Sequence, residues 1–320
     1  MNQHQTLEAV ATSALPSMRR DAAAFTLIEM AIVLVIIGLI VGGVLVGQNL
    51  IAAAGARATI TQIEKYNQAV NTFRDKYGGL PGDLNASLAT QFGFVARGSL
   101  TGQGDGNGVI EAGPCGWCEM GETTVFWVDL STAKLIDGAF NTAAEVGVYA
   151  DITGTTLNAW LPQAKLGQGN YVYVWSGGWQ ERLLAGVYNA YSDGNNYFGI
   201  SAVTKIQGTS QSQIVSSPGL TVQQAYAIDT KVDDGLPQQG NVTALYLNGG
   251  GTANWAAGGG VQGAWQWGGA SGAQEAPTKG ATAGSPTTCY DNGNVAGTQQ
   301  YSLAQNGGAN VNCALSFRFQ

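Results

Sequence analysis

The residue with the most demanding chemistry in this sequence is Glu29, a carboxylic acid inside an apolar run that extends from Phe25 to Val46. As a helix at ~1.5 Å per residue, that run is long enough to cross the ~30 Å hydrocarbon core of a bilayer. An unpaired carboxylate there costs about 2.5–3.5 kcal/mol on insertion scales, so Glu29 either lies near the interface or requires a partner. A suitable partner is an amino group on a neighbouring copy of the chain. This pairing would also fix the axial register between copies.

The residues before the apolar run indicate its orientation. Arg19 and Arg20 precede it, and positively charged residues stay on the cytoplasmic side of a membrane. The run is also longer than the ~7–15 residues of a secretory signal peptide. We therefore expect a single-pass helix with a cytoplasmic N-terminus and an exported C-terminal part.

The segment Phe25-Thr-Leu-Ile-Glu29-Met resembles the prepilin cleavage and methylation motif of type IV pilins and of type II secretion pseudopilins. The resemblance implies that a prepilin peptidase cuts between Ala24 and Phe25 and methylates the new amino group of Phe25. It also implies that Glu29 is the glutamate that drives assembly into a filament. Ala24 differs from the family, which nearly always has glycine before the cut, and we expect cleavage that is slower.

The same resemblance implies the function, partners and location of the chain. We expect a structural subunit of a type IV pilus, with a pseudopilin of a type II secretion system or a minor tip pilin or adhesin as alternatives. The implied partners are copies of the chain, other pilins, the prepilin peptidase and the inner-membrane assembly platform. The subunit would lie in the inner membrane before assembly, and in a periplasmic or cell-surface filament afterwards.

The helical pattern continues beyond the apolar run. Apolar residues recur at steps of three and four, which is typical of one buried helix face; they are Ile63, Tyr66, Val70, Phe73 and Tyr77. Gly78-Gly79 and Pro81 end the helix, so we predict one helix from Phe25 to Tyr77. The predicted organisation is a cleaved leader at 1–24, a membrane or filament-core helix at 25–47, an amphipathic continuation at 48–77 and a globular head at 78–320.

The head is predicted to be an antiparallel β-sheet on which the long helix packs, giving an α+β fold with large loops. Short β-rich stretches separated by Gly and Asn turns indicate the strands; they are Tyr171–Trp175, Leu183–Tyr188, Tyr197–Val203, Val242–Leu247 and Ala314–Phe319. Thr221–Ile228 is predicted to be a helix. Residues 248–286 have low complexity and predict an exposed loop, whose tryptophans either bind a partner or fold back on the sheet.

Two acidic segments of the head are candidates for calcium binding. Asp105, Asn107 and Glu111 alternate with glycines, as oxygen ligands do in calcium loops, although the loop is too short for an EF-hand. Some pseudopilins bind calcium in the head, which adds to this interpretation. The second cluster comprises Asp229, Asp233 and Asp234. A solvated turn remains the alternative in both places, and calcium is the cofactor that these two segments predict.

The four cysteines favour disulfides, because their number is even and the chain is predicted to be exported. Cys115 and Cys118 have the CxxC spacing, for which a tight loop disulfide, a zinc site and a redox thiol are alternatives. We prefer Cys115–Cys118 and Cys289–Cys313 as pairs. The second pair resembles the C-terminal disulfide loop of many pilins.

Composition excludes several other functions. The net charge is −7 and only 11% of the residues are charged, so the chain lacks the basic surface that nucleic-acid binding requires. His4, the one histidine, lies in the predicted leader. The mature chain would therefore lack the histidine of the common catalytic triads, and we expect no enzyme.

Overall fold

The computed structural model describes residues 26–94, 103–110, 121–140, 150–176, 195–208, 214–237, 239–244, 289–291, 300–304 and 306–319. The chain divides into two compact units, Met1–Asn49 and Leu50–Gln320. The long helix α1, Leu27–Tyr77, begins two residues later than predicted and ends where predicted. Together with an antiparallel sheet in the C-terminal part, it confirms the predicted α+β fold.

The part of α1 that belongs to the first unit exposes its apolar side chains. Leu27 is 89% exposed and Leu39 is 78% exposed, and the same holds for most apolar residues between them. By length and composition, this helix is able to cross a membrane. Apolar side chains without protein neighbours are stable only in contact with lipid or with other apolar helices.

The part of α1 in the second unit is amphipathic, as predicted. All five residues of the predicted apolar face are buried; they are Ile63, Tyr66, Val70, Phe73 and Tyr77. The charged residues on the other face, including Glu64, Lys65 and Arg74, are exposed. The 3.6-residue period of the sequence therefore identified the correct face.

The remaining helices of the described chain are short. They are α2 (Ala86–Phe92), α3 (Glu122–Thr132) and α4 (Val222–Val232), with 3-10 turns at Gly154–Ala159 and Asn306–Gly308. Thr221 and Gln224 form a reciprocal capping box at the start of α4, so this helix begins within one residue of the prediction. It then extends past the predicted end at Ile228 to Val232.

A six-stranded antiparallel sheet forms the centre of the second unit. Its strands are β1 (Ile152–Thr153), β2 (Asn170–Ser176), β3 (Asn196–Ile206), β4 (Ile214–Ser217), β6 (Val242–Thr243) and β10 (Leu315–Arg318). The first half of β3 lies between β2 and β10, and its second half lies between β4 and β1. β10 also pairs with β6.

Two smaller ladders accompany the main sheet. β5 (Leu220–Thr221) pairs with β9 (Val311–Cys313), and β7 (Tyr290–Asp291) pairs with β8 (Gln300–Tyr301). Both ladders contain a cysteine or adjoin one. The ladder of β5 and β9 ties the C-terminal residues to the segment that precedes α4.

The predicted strands agree with β2, β3 and β10, whereas one prediction requires correction. Of the strand predicted at Val242–Leu247, Val242–Thr243 forms β6, and the N–H of Ala244 donates to the carbonyl of Pro237 at 2.7 Å instead of continuing a ladder. Residues 245–247 lie outside the described residues. The strand predicted at Leu183–Tyr188 lies outside the described residues.

Aromatic side chains join α1 and α3 to the sheet. The ring of Phe198 on β3 lies 6.0 Å from Tyr66 of α1 and 6.0 Å from Trp127 of α3, measured between centroids. Phe319, which follows β10, stacks on Phe198 at 4.3 Å. The part of α1 in the second unit, which we call the stem, therefore packs on the sheet through rings that bury large apolar areas.

Candidate functional site

Glu29 completes the N-terminal cap of the helix that carries it. Its Oε2 accepts hydrogen bonds from the backbone N–H of Thr26 at 2.7 Å and from the Thr26 hydroxyl at 2.9 Å. In return, the N–H of Glu29 donates to the Thr26 hydroxyl oxygen at 3.3 Å. This reciprocal pattern is a capping box, which satisfies helix N–H groups that have no intrahelical acceptor.

The cap leaves the glutamate able to bind a cation as well. Both contacts with Thr26 use the same oxygen, and a carboxylate offers further acceptor positions. Glu29 is exposed in the single chain. Ala24 and Phe25, the predicted cleavage and methylation residues, lie outside the described part of the chain.

Three carboxyl groups meet in the second unit, and we call them the Asp83 group. Asp83, Asp105 and Glu122 each offer one oxygen, and the three oxygens lie within 4.8 Å of one another. Asp83 is 1% exposed and Glu122 is fully buried, whereas Asp105 is half-buried. Buried carboxylates this close repel one another unless protons or a cation neutralise them.

Asp83 and a second buried aspartate, Asp129, hold the loop 103–110 in place. The carboxylate of Asp83 accepts the N–H groups of Gly106 and Gly108, each at 2.7 Å. Asp129 accepts the side-chain amide of Gln103 at 2.7 Å and the N–H of Gly82 at 2.8 Å. The loop is thereby attached both to the turn that follows α1 and to α3.

Burial changes the acidity of these two groups. Desolvation raises the pKa of Asp129 to about 7, against the lowering effect of the hydrogen bonds from Gly82 and Gln103. Desolvation also raises the pKa of Asp83 to about 6, opposed by hydrogen bonds with Gly108, Gly106 and Glu122. Both carboxyls therefore titrate near neutral pH.

The predicted calcium ligands are only partly brought together in the described chain. Asp105 lies in the Asp83 group, but its Oδ1 accepts the N–H of Asn107 at 3.0 Å. The Oδ1 of Asn107 accepts the N–H of Val109 at 2.7 Å, and Glu111 lies outside the described residues. Because the Asp83 group consists of oxygen donors, its chemistry fits calcium. Calcium binding here stays a prediction.

The second predicted acidic cluster is brought together as a group. Asp229, Asp233 and Asp234 each place an oxygen within 4.8 Å of the others. Asp229 is buried and accepts the hydroxyl of Tyr301 at 2.7 Å; burial raises its pKa to about 6. Asp233 accepts backbone N–H groups of Asn241 and Val242, so it also fixes the start of β6.

The structure joins Cys289 to Cys313 by a disulfide. Both cysteines are fully buried, and Cys313 ends β9. Cys115 and Cys118 lie outside the described residues, as do the tryptophans of the predicted exposed loop.

The roles of Asp83, Glu122 and Asp129 were not predicted from the sequence. Glu122 and Asp129 lie on α3, nine consecutive residues of which are buried, Glu122 to Leu130. The available sequence signal is Asp129 inside the apolar run Val125–Leu130, because a charged residue in such a run needs partners inside the protein. The sequence also shows Asp83 directly after Pro81-Gly82, where a turn residue is the usual interpretation.

Comparison with known proteins identifies the N-terminal segment. Residues 19–45 match the family model described as the prokaryotic N-terminal methylation motif, which is the prepilin signature of type IV pilins and pseudopilins. The resemblance of Phe25 to Met30 to that signature is thereby confirmed. None of the curated proteins and none of the solved structures compared with the chain matches it.

The matched segment contains the predicted cleavage position and Glu29. It supports a type IV pilin-like or pseudopilin protein, which is generally structural rather than enzymatic. The motif implies prepilin processing and assembly with other pilins. Together with the apolar part of α1, it fits an inner-membrane-anchored pilin before assembly.

Proposed function

We propose that this chain is a structural subunit of a type IV pilus that enters the filament through the N-terminal part of α1. The observation that carries the proposal is a capped glutamate at the start of a helix whose next two dozen residues expose apolar side chains. Such a helix is suited first to a membrane and then to the apolar core of a filament. The methylation motif covers most of the same residues and supports membrane insertion followed by assembly into a filament.

Processing would create the positive partner that Glu29 needs. Cleavage between Ala24 and Phe25 frees an α-amino group at the first residue of the mature chain, and methylation leaves that group able to carry a charge. Glu29 of one subunit would pair with this group on a neighbouring subunit. In an apolar surrounding an ion pair of this kind offsets the cost of the buried carboxylate and is specific in register.

This mode of assembly assigns a role to each segment of the chain. Residues 1–24 are the leader, 25–47 the membrane and filament-core helix, 48–77 its amphipathic continuation and 78–320 the exported head. The N-terminus is cytoplasmic before processing. The prepilin peptidase, the inner-membrane assembly platform and other pilins are the proposed partners.

Substitutions at Glu29 and Thr26 test the charge of the glutamate separately from its role in the helix cap. Glu29→Gln keeps a side chain that is able to complete a capping box but carries no charge. Glu29→Ala removes both, whereas Thr26→Ala removes the cap and keeps the charge. The measurement is the amount of each variant in filaments sheared from cells, relative to its amount in the membrane fraction.

We expect both Glu29 variants to accumulate in the membrane and to be lost from the filaments, while Thr26→Ala is still incorporated. Normal incorporation of Glu29→Gln would contradict the ion pair. Normal incorporation of both Glu29 variants would show that the glutamate has no role in assembly.

A pseudopilin of a type II secretion system is the second candidate. The observation that favours it is the Asp83 group, because the oxygen donors of this group suit calcium, which some pseudopilins bind in the head. In that case the processed chain stays with the cell envelope and is absent from the sheared fraction. A minor tip pilin or adhesin would depend on the tryptophan loop, which lies outside the described residues.

A further inference from the structure

The loop 103–110 contains an exposed asparagine followed by glycine, Asn107-Gly108. Glycine lacks a Cβ, so the backbone nitrogen of Gly108 is open to close approach by the preceding side chain. Gly108 has a φ of +85°, a conformation that most other residues avoid. This pair is thus free of the steric protection that a larger following residue gives an asparagine side chain.

Two hydrogen bonds prepare this pair for reaction. The N–H of Gly108 donates to Oδ2 of Asp83 at 2.7 Å, so a carboxylate is in position to accept its proton. The Oδ1 of Asn107 accepts the N–H of Val109 at 2.7 Å. That donor is positioned to stabilise the negative charge that develops on Oδ1 when the side-chain carbonyl is attacked. The nucleophile and the electrophile therefore each have the partner that their reaction requires.

We propose that Asn107-Gly108 is a self-modification site, at which the backbone nitrogen of Gly108 attacks Cγ of Asn107 and the asparagine is converted to aspartate or isoaspartate. Asp83 acts as the positioned proton acceptor, and the N–H of Val109 acts as the donor to the oxyanion.

The reaction balances without an oxidant or a cofactor. A bond forms between the Gly108 nitrogen and Cγ of Asn107, and the bond between Cγ and Nδ2 breaks. The proton from Gly108 passes through Asp83 to the leaving nitrogen, which departs as ammonia and leaves a cyclic imide. Water then opens the ring at either carbonyl, and Asn107 is exposed, so water reaches it.

The product adds a negative charge to a loop that already contains Asp105 and rests on Asp83. An isoaspartate would also add a methylene to the backbone of a loop that the two buried aspartates hold in place. The modification is irreversible, so it would accumulate with the age of the subunit.

A second Asn-Gly pair in the described chain provides an internal reference. Asn306-Gly307 is also exposed at its asparagine and has a positive φ of +57° at its glycine. There, however, the asparagine side chain donates from Nδ2 to Asn310 Oδ1 at 3.4 Å instead of accepting a backbone N–H through Oδ1. Both pairs are Asn-Gly, but they differ in the hydrogen bonds that the asparagine side chain makes.

The test follows both asparagines in one sample by peptide mass spectrometry. Full-length protein in detergent is incubated at neutral pH, folded or in urea, and the deamidated fraction at each site is measured over time. We expect Asn107 to react on the order of 10²-fold faster than Asn306 in the folded protein, the range that a positioned acid or base supplies. In urea the two rates should become similar. Equal rates in the folded protein, or a slower Asn107, would overturn the proposal.

Variants then assign the effect to Asp83. Asp83→Asn should remove most of the rate difference between Asn107 and Asn306. The matched control is Asp151→Asn, because Asp151 also accepts a glycine N–H, that of Gly208, at 2.7 Å but lies at the surface. An unchanged ratio in folded Asp83→Asn would exclude Asp83 as the proton acceptor. If circular dichroism shows that this variant does not fold, the comparison of folded with denatured wild-type protein decides.

Discussion

The carboxylate of Glu29 stabilises its own helix before any neighbouring subunit is present. Its hydrogen bonds to Thr26 cap the helix of the free chain. In the proposed filament the same side chain would also supply the negative charge of the ion pair between subunits. The identity of this residue and its need for a partner were readable from the sequence, because a lone acid in an apolar run is unusual. The cap was not predicted, although Thr-x-x-Glu is a known sequence signature.

The members of the Asp83 group could not all be predicted from local sequence patterns. The position of Asp105 among glycines predicts a calcium ligand, yet the acidic residues that the fold places beside it, Asp83 and Glu122, come from distant parts of the sequence. Only the folded chain brings these three together. The local sequence pattern therefore identified Asp105 but grouped it with Asn107 and Glu111 instead of Asp83 and Glu122.

Because of Asp129, we expect the free energy of unfolding to depend on pH. Burial raises its pKa to about 7 from the ordinary aspartate value of 3.8, so the folded state retains a proton that the unfolded state loses. This contribution to stability is fully present below pH ~4 and is lost as the pH rises through ~7. We expect the free energy of unfolding to fall between these values, by at most roughly 1.4 kcal/mol per pH unit for this group.

Urea denaturation of the full-length protein in detergent, followed by tryptophan fluorescence, measures this slope. Asp129→Asn should flatten it, and Asp83 and Asp229, with pKa values of about 6, should account for part of the remainder. Asp151→Asn is the control, since the hydrogen bonds from Lys205 and Gly208 lower the pKa of that exposed carboxyl. A free energy of unfolding that rises from pH 4 to pH 7 would contradict the account.

The helices that could be predicted from the sequence were those with a clear amphipathic period. The second half of α1 alternates buried and exposed faces, so its five apolar positions were assigned correctly. Helix α3 was not predicted, because Glu122 to Leu130 are all buried and no polar face marks the period. The start of α4 was predicted within one residue, and the Thr221 capping box explains that boundary.

The connection between α1 and α3 depends on glycine at position 82. Gly82 has a φ of +84°, and a Cβ there would lie 2.4 Å from the carbonyl oxygen of Glu122. Gly93 has a similar φ of +73°, but no atom lies within 4 Å of its Cβ position. Gly93→Ala should cost about 1 kcal/mol for the backbone conformation alone. Gly82→Ala should cost about 1–3 kcal/mol more, because the backbone of α3 must move.

Thermal unfolding of the two variants beside the wild type tests this difference. The pair is matched, since both substitutions add one methyl group at a left-handed position. Equal melting temperatures for the two variants would show that the contact between Gly82 and Glu122 does not constrain the fold.

At the scale of the whole molecule, the sequence predicted the α+β class, the stem packed on a sheet and three of the strands. Long-range pairing was less accessible, because nothing local in the sequence places β3 between four other strands. The strand predicted at Val242–Leu247 also leaves its ladder at Ala244, through a hydrogen bond to Pro237 that the local pattern does not show.

The Cys289–Cys313 disulfide predicts a stabilisation of the C-terminal region. It closes a loop with a sequence separation of 24, for which chain entropy gives about 3 kcal/mol. The double variant Cys289→Ala, Cys313→Ala should therefore unfold at lower urea concentration than the wild type. Cys115→Ala, Cys118→Ala, which removes the other preferred pair, serves as the comparison, because that pair would close only a short loop. An unchanged urea midpoint in the first double variant would contradict this role.

The central claim is that the chain is processed before Phe25 and then assembled through its N-terminal helix. The most direct test is the intact mass of the protein in filaments sheared from whole cells. We predict a species that begins at N-methylated Phe25. A processed species that remains entirely in the cell envelope would favour the pseudopilin instead. If every fraction contains only the uncleaved chain, Ala24 blocks processing and the account of assembly is wrong.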